Sequence, residues 1–195
     1  APLAPVQAQT ITCSTLSMTS VNFANVDLVN GTGMSTTATL TYSCKATNNS
    51  GNTANVCFSV SYSDPRQMSG TSPLVYQLRS GTSSGAIWGS AWASEAPVSI
   101  PIAGNSTVSG TLTMAADIAP GQTVPPGSGS DSYAGIATAT TYTLNGSCAK
   151  STTYISGTYI FPFSVNATVV KACKASAVSA IDLGSAPASA ANIDA

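Results

Sequence analysis

The chain has 195 residues, of which 43 % are hydrophobic and only 7 % are charged, and it contains no histidine. Six lysine and arginine residues give no basic surface for nucleic acid, and seven scattered carboxylates form no acidic cluster for metal or glycoside chemistry. Without histidine there is neither a Ser-His or Cys-His nucleophile pair nor a zinc site of the usual kind, so we expect no enzyme activity and no cofactor.

Residues 1–8 are predicted to be an N-terminal tail outside the fold. Val6-Gln7-Ala8 resembles the small-x-small end of a signal peptide, so the tail is either a leader remnant or a fusion scar. No later run approaches the roughly 20 apolar residues that a membrane span needs. Serine, threonine and asparagine take the place of charged residues, which is typical of the surface of a secreted β-protein.

Apolar and polar residues alternate with a period of two along most of the chain, which is the pattern of half-buried antiparallel strands. Turn signals such as Asn30-Gly31, Asp64-Pro65 and Pro120-Gly121 separate the alternating runs. Strands joined by such turns predict an all-β fold, an antiparallel β-sandwich. The clearest runs lie at 38–44, 56–62, 74–78, 108–114 and, more weakly, 136–144.

Five cysteines stand at positions 13, 44, 57, 148 and 173, without the Cys-x-x-Cys spacing of metal or thioredoxin-like sites. In a chain of low charge they indicate disulfides formed outside the cytosol. The first four allow three different pairings, and the odd number leaves one cysteine over.

The two ends of the chain carry related segments that lie 160 residues apart, Cys13 to Asn25 and Cys173 to Ser185. We interpret the second copy as the opening of a second domain, so the first domain is predicted at 9–158 and the truncated second one at 159–195. On this interpretation Cys13–Cys44 and Cys57–Cys148 are the bridges. Cys173 is then unpaired, because its partner would lie beyond the last residue.

The alternating segment Val165, Ala167 and Val169 falls in the predicted second domain. Because its backbone groups need partners, we expect it either to stay disordered or to pair with an edge of the first domain.

Several motifs together resemble the spore coat protein U domain family, and they follow the order of that family over most of residues 11–145. The segment Phe163 to Cys173 also resembles the opening strand of the same domain in tandem members. Asn22-Phe23-Ala24 departs from the usual Asp-Phe-Gly of the family. The matching motifs are Cys13, Thr36 to Cys44, Leu74 to Leu78, Ala86-Ile87-Trp88-Gly89 and Ile118 to Gly127.

The resemblance implies an immunoglobulin-like sandwich in a secreted subunit of an archaic chaperone–usher pilus. Its implied partners are a periplasmic chaperone, an outer-membrane usher and an adjacent pilin subunit, which supply or accept a strand by β-augmentation. Two-domain members are similar to tip adhesins, so the implied location is the pilus tip, reached through the periplasm. The implied role is attachment and biofilm formation.

The candidate residues for contact with an abiotic or host surface are apolar side chains in glycine-, serine- and proline-rich loops. An ordinary role in anchoring these loops to the core is the alternative for each residue, and for Trp88 above all. The candidates are Ile87, Trp88, Ala91 and Trp92 in the loop from Arg79 to Pro97, Val29 and Met34 around a turn, and Ile118 and Val124 around Pro120-Gly121.

Two other functions stay open from the sequence. One is a structural pilus or coat subunit that polymerises by donor-strand complementation; the other is a lectin-like domain that uses Trp92 and the asparagine-rich loop 48–55. A first domain that completes its own sheet favours a tip subunit, and an open groove favours a shaft subunit.

Overall fold

The computed structural model describes residues 9–29, 33–48 and 51–171. The predicted tail at 1–8, Cys173 and the second copy of the repeat lie outside the described residues. Within them the chain forms strands and one 3-10 turn, Gly135–Ala137. The strands are β1 (Thr10–Met18), β2 (Val21–Val26), β3 (Met34–Thr47), β4 (Thr53–Val60), β5 (Arg66–Gln67), β6 (Ser69–Gly70), β7 (Val75–Ser80), β8 (Val98–Ala103), β9 (Thr107–Ile118), β10 (Gly127–Tyr133), β11 (Thr138–Leu144), β12 (Thr153–Tyr154) and β13 (Phe163–Val169).

One layer is a five-stranded sheet in the order β1-β3-β9-β7-β5. Its centre is the long antiparallel pair β3 and β9, in register from Met34 opposite Ile118 to Lys45 opposite Thr107. Alternation along β3 directs Ala38, Leu40 and Tyr42 into the core, as the sequence predicts.

The opposing layer consists of two four-stranded sheets, β2-β13-β10-β6 and β12-β11-β4-β8. The 3-10 turn Gly135–Ala137 lies between β10 and β11, so one stretch of chain passes from the first of these sheets into the second. The core contains side chains from all three sheets, which confirms the prediction of an all-β, immunoglobulin-like sandwich.

Aromatic rings form a continuous series through the core. Phe163 stacks on Tyr133 with ring centroids 4.6 Å apart, and Trp88 lies parallel to both Phe161 and Phe163 at 5.9 and 6.2 Å. Phe58 meets Phe161 edge-on at 6.1 Å. Such pairs add to the burial of large apolar area, so these rings hold residues 161–163 firmly in the sandwich.

Both predicted disulfides are present. Cys13 and Cys44 stand directly opposite each other on β1 and β3 and are bonded at a Cα–Cα distance of 3.9 Å. Cys57 on β4 is bonded to Cys148, which fixes the segment after β11 to β4.

The segment assigned to a second domain contributes a strand to this sandwich. β13 pairs antiparallel with β10 and parallel with β2, and Val165, Ala167 and Val169 are buried. The expected pairing with the first domain therefore occurs, but between two strands and not at an edge. The sandwich runs at least to Val169, beyond the boundary predicted after residue 158, and a second domain after it stays a prediction.

Removing the second disulfide tests its contribution to stability. The bond closes a loop with a sequence separation of 91, against 31 for Cys13–Cys44. In the loop-entropy model the Cys57→Ala/Cys148→Ala variant loses about 4–5 kcal/mol of unfolding free energy and the Cys13→Ala/Cys44→Ala variant about 4 kcal/mol. Guanidinium denaturation measures both values; a loss below about 1 kcal/mol in either variant would contradict this expectation.

Candidate functional site

Trp88 is a core residue, which corrects its prediction as a surface contact. Its side chain is 0 % exposed, and its indole N–H donates a hydrogen bond to the carbonyl oxygen of Phe58 at 2.7 Å. The ring fills the space beside Phe161 and Phe163. A tryptophan with its one polar atom satisfied is stable inside a core, and it cannot reach an external surface there.

The loop around Trp88 is pinned to the sandwich by main-chain hydrogen bonds. The N–H groups of Gly89 and Ser90 donate to the carbonyl oxygens of Ala96 and Glu95, each at 2.9 Å. A Cβ atom at Gly89 would lie 2.1 Å from the Glu95 oxygen, so this close approach requires glycine. The buried guanidinium of Arg66 donates to the Trp88 carbonyl oxygen at 2.6 Å.

Ala91 is also buried, which removes it from the candidate surface contacts. Its N–H donates to the hydroxyl oxygen of Ser59 at 3.2 Å, and its carbonyl oxygen accepts from the N–H of Lys150 at 2.6 Å. Ile87 is half-buried and lies opposite Arg79 in an isolated bridge. Of the four candidates in the loop from Arg79 to Pro97, Trp92 is therefore the one whose side chain is exposed.

Trp92 belongs to a group of exposed aromatic side chains that we call the aromatic patch: Trp92, Tyr154 and Tyr159. Their side chains are 49 %, 44 % and 36 % exposed. Ring centroids are 6.4 Å apart between Trp92 and Tyr154 and 4.9 Å apart between Tyr154 and Tyr159. The patch thus joins two segments that are distant in sequence.

The backbone beneath the aromatic patch is held on β11. The N–H of Thr140 donates to the carbonyl oxygen of Tyr159 at 2.7 Å, and the Thr140 carbonyl oxygen accepts from the N–H of Ile155 at 3.3 Å. Tyr154 pairs with Thr141 in the short ladder between β12 and β11. The Lys150–Ala91 hydrogen bond connects the two segments that carry the rings, and the disulfide Cys57–Cys148 ties the second of them to β4.

Val29 and Val124 come together at one pole of the sandwich. We call the depression between them the valine groove. Its walls are mainly apolar, and its volume is about 430 Å³. Both valines are half-buried, so each contributes part of its surface to the groove. The remaining lining residues are Leu28, Pro126, Val169, Val170 and Lys171.

Met34 and Ile118 are paired with each other at the ends of β3 and β9. Ile118 is 2 % exposed, so it anchors the sheet end and is withdrawn as a surface contact. Met34 is half-buried and packs on the core, although it lines a shallow cleft with Gly33 and Pro120.

A buried polar network connects the two layers but does not reach a candidate site. The hydroxyl of Tyr76 donates to Asp131 Oδ2 at 2.6 Å and lies 2.7 Å from the hydroxyl of Tyr133. Burial raises the pKa of Tyr76 well above its usual range and also raises the pKa of Tyr133. Both tyrosines therefore stay protonated at neutral pH and serve as hydrogen-bonding parts of the core.

Sequence reasoning missed Tyr154 and Tyr159. They stand outside any alternating run, in a segment rich in threonine and serine, and only the fold brings them beside Trp92. The signal for this surface in the sequence is two tyrosines, Tyr154 and Tyr159, that lie close together after the predicted strand at 136–144.

The described residues 9–29, 33–48 and 51–171 contain no group of three histidine, cysteine or acidic side chains placed to hold a metal ion. In the same residues no helix has the length and apolar character needed to cross a bilayer.

The fold and the disulfides define an immunoglobulin-like sandwich, and comparison with known proteins identifies its family. The family model described as Spore Coat Protein U domain matches residues 3–140. The chain therefore belongs to the Spore Coat Protein U domain family. No curated protein matches the sequence.

Two examples illustrate the remote similarity of the chain to solved structures. One is the CupB6 tip adhesin from Pseudomonas aeruginosa, at 12 % identity and a TM-score of 0.40 over 80 % of this chain and 42 % of that one. The chain thus spans less than half the length of that adhesin. The other is a PapD-like domain of human CEP192, at 8 % identity and a TM-score of 0.29 over 88 % of this chain and 92 % of that one.

The two tryptophans provide a matched pair that tests the assignment of core and surface. Because Trp88 is fully buried, Trp88→Ala is expected to lower the unfolding free energy by about 3–5 kcal/mol. Trp92→Ala, four residues further along, is expected to cost less than about 1 kcal/mol. Chemical denaturation of both variants measures the difference; equal losses would contradict the assignment.

Proposed function

We propose that this chain is the non-enzymatic attachment domain of a pilus tip subunit, exported through the periplasm by the chaperone–usher route. The observation that carries the proposal is the central position of β13 between β2 and β10. Membership of the Spore Coat Protein U domain family supports the pilus context.

The position of β13 bears on the place of the subunit in a fibre. In donor-strand complementation, each internal subunit receives a strand from a neighbour to complete its open sheet. In this proposal β13 fills that place from the same chain. It pairs with β10 in register from Gly127 opposite Val169 to Tyr133 opposite Phe163. A domain with this place already filled needs no donated strand there, which suits the end of a fibre.

The side chains of β13 support the same conclusion. Val165 is 0 % exposed, and Ala167 and Val169 are at most 5 % exposed, so they fill the core that an incomplete domain would leave open. The alternative of a shaft subunit, which polymerises through this place, lacks such support among the described residues.

The surface of the domain suits attachment with little loss of hydration. Only 7 % of the residues are charged, so few ionic groups must be desolvated when the domain meets a neutral surface. Two surfaces present apolar groups to such a contact: the valine groove around Val29 and Val124, and the aromatic patch around Trp92. The proposed partners are an abiotic or host surface, an assembly chaperone, an usher and an adjacent pilin subunit.

Labelling of assembled fibres tests the proposed position. In cells that assemble the fibre from full-length subunits, gold-labelled antibody against this domain is expected to mark one end of each fibre. Label distributed along the fibre length would contradict a tip subunit and would favour the shaft alternative.

Attachment of the same cells to polystyrene tests the proposed role. Val29→Ser/Val124→Ser and Trp92→Ser each reduce apolar contact area, so at least one of them is expected to lower attachment severalfold at unchanged fibre number. Thr168→Ser, an exposed position of β13, is the matched control and should leave attachment unchanged. Native attachment in both variants would contradict a role for these two surfaces.

A further inference from the structure

Exposed aromatic side chains are concentrated at one place on this domain. Among the described residues, the large apolar side chains that are exposed number five, and three of them form the aromatic patch. A cluster of exposed rings in a chain that buries most other large apolar groups indicates a binding surface. The five are Trp92, Ile136, Leu144, Tyr154 and Tyr159.

We propose that the aromatic patch binds an oligosaccharide, with pyranose rings stacked on the faces of Trp92 and Tyr154. The C–H groups on one face of a pyranose are apolar and pack against an aromatic ring, while its hydroxyl groups point outward at the edge. A sugar therefore needs rings flanked by hydrogen-bonding groups. This inference goes beyond the proposed function, because it does not depend on where in a fibre the domain is placed.

Polar side chains are frequent in the chain segments that carry the rings. The two segments that carry the patch also carry exposed hydroxyl side chains: Ser94, Thr152, Thr153, Ser156 and Thr158. Any partner that covers these hydroxyls displaces water from them, and a hydroxyl left buried without a hydrogen bond costs free energy. Sugar hydroxyls replace those bonds, and Lys150 adds one exposed cationic donor.

The spacing of the rings favours a chain of sugars over a single one. The centroid of Tyr154 lies 6.4 Å from that of Trp92 and 4.9 Å from that of Tyr159, and the ring planes are inclined by 37° and 54°. Neighbouring rings at such distances offer contacts to successive residues of an oligosaccharide.

The aromatic patch is also held in place before any ligand binds. The main-chain N–H of Trp92 donates to Ser90 Oγ at 3.2 Å, and the main-chain carbonyl oxygen of Tyr159 accepts from the N–H of Thr140. The disulfide at Cys148 fixes the chain that precedes Tyr154. Binding to a preorganised surface loses less conformational entropy than binding to flexible loops.

Tryptophan fluorescence of the full chain provides a direct test, because Trp92 is exposed and Trp88 is buried. The probes are cellohexaose, maltohexaose, xylohexaose and chitohexaose, each added in the presence of the quencher acrylamide. At least one hexasaccharide is expected to protect Trp92 from quenching with half-saturation near or below about 1 mM, and its monosaccharide more weakly. If none of the four protects Trp92 at about 10 mM, the inference is overturned.

Variants separate stacking from other effects. Tyr154→Ala is expected to weaken protection by at least about tenfold, whereas Tyr154→Phe keeps the ring and most of the affinity. Trp92→Phe reports on Trp88 alone and should show no sugar-dependent change. Val29→Ser, in the valine groove, is the control and should bind the hexasaccharide as the native protein does. Native-like protection in Tyr154→Ala would overturn the proposed stacking.

The two proposals can fail independently. If no sugar binds but Trp92→Ser still lowers attachment to polystyrene, the oligosaccharide inference is wrong and the attachment function stands. If sugar protects Trp92 but gold label marks the whole fibre, the tip position is wrong and the sugar site stands.

Discussion

Strand β13, which begins at Phe163 two residues after Phe161, holds one sheet of the second layer together. Phe163–Val169 pairs with β10 on one side and β2 on the other, so the backbone of both neighbours depends on it. Phe161 and Phe163 stack on Trp88, which in turn fixes the loop that presents Trp92. The same seven-residue strand therefore closes the core, satisfies two neighbouring strands and supports the loop of the aromatic patch.

Much of the fold was predictable from alternation, and the exceptions have physical reasons. β3, β7 and β9 direct alternate residues into the core because one face of each lies there. β4 and β11 are buried on both faces, as Cys57, Ser59, Thr140 and Thr141 show. β10, with the sequence Gly-Ser-Gly-Ser-Asp-Ser-Tyr, carries almost no apolar side chains. At Gly129 a Cβ atom would lie 2.4 Å from the carbonyl oxygen of Ser72, so close packing excludes a side chain where a pattern would be visible.

The candidate site was less predictable, because exposure and convergence depend on tertiary structure. Trp88 and Trp92 share a loop and have the same local composition, yet one fills the core and the other is 49 % exposed. Val29 and Val124 were correctly expected in loops, but their convergence depends on which loops share a pole. Tyr154 and Tyr159 reach Trp92 only because a disulfide and β11 bring their segment back across the sheet.

The central claim is that β13 is an integral strand of this domain. Hydrogen exchange of the backbone amides in residues 164–168, measured on the full chain, tests it most directly, because amides in a central strand exchange only when the sheet opens. Protection in β13 is expected to be comparable to that of the central pair β3 and β9. Exchange as fast as in an unfolded chain across these residues would contradict it.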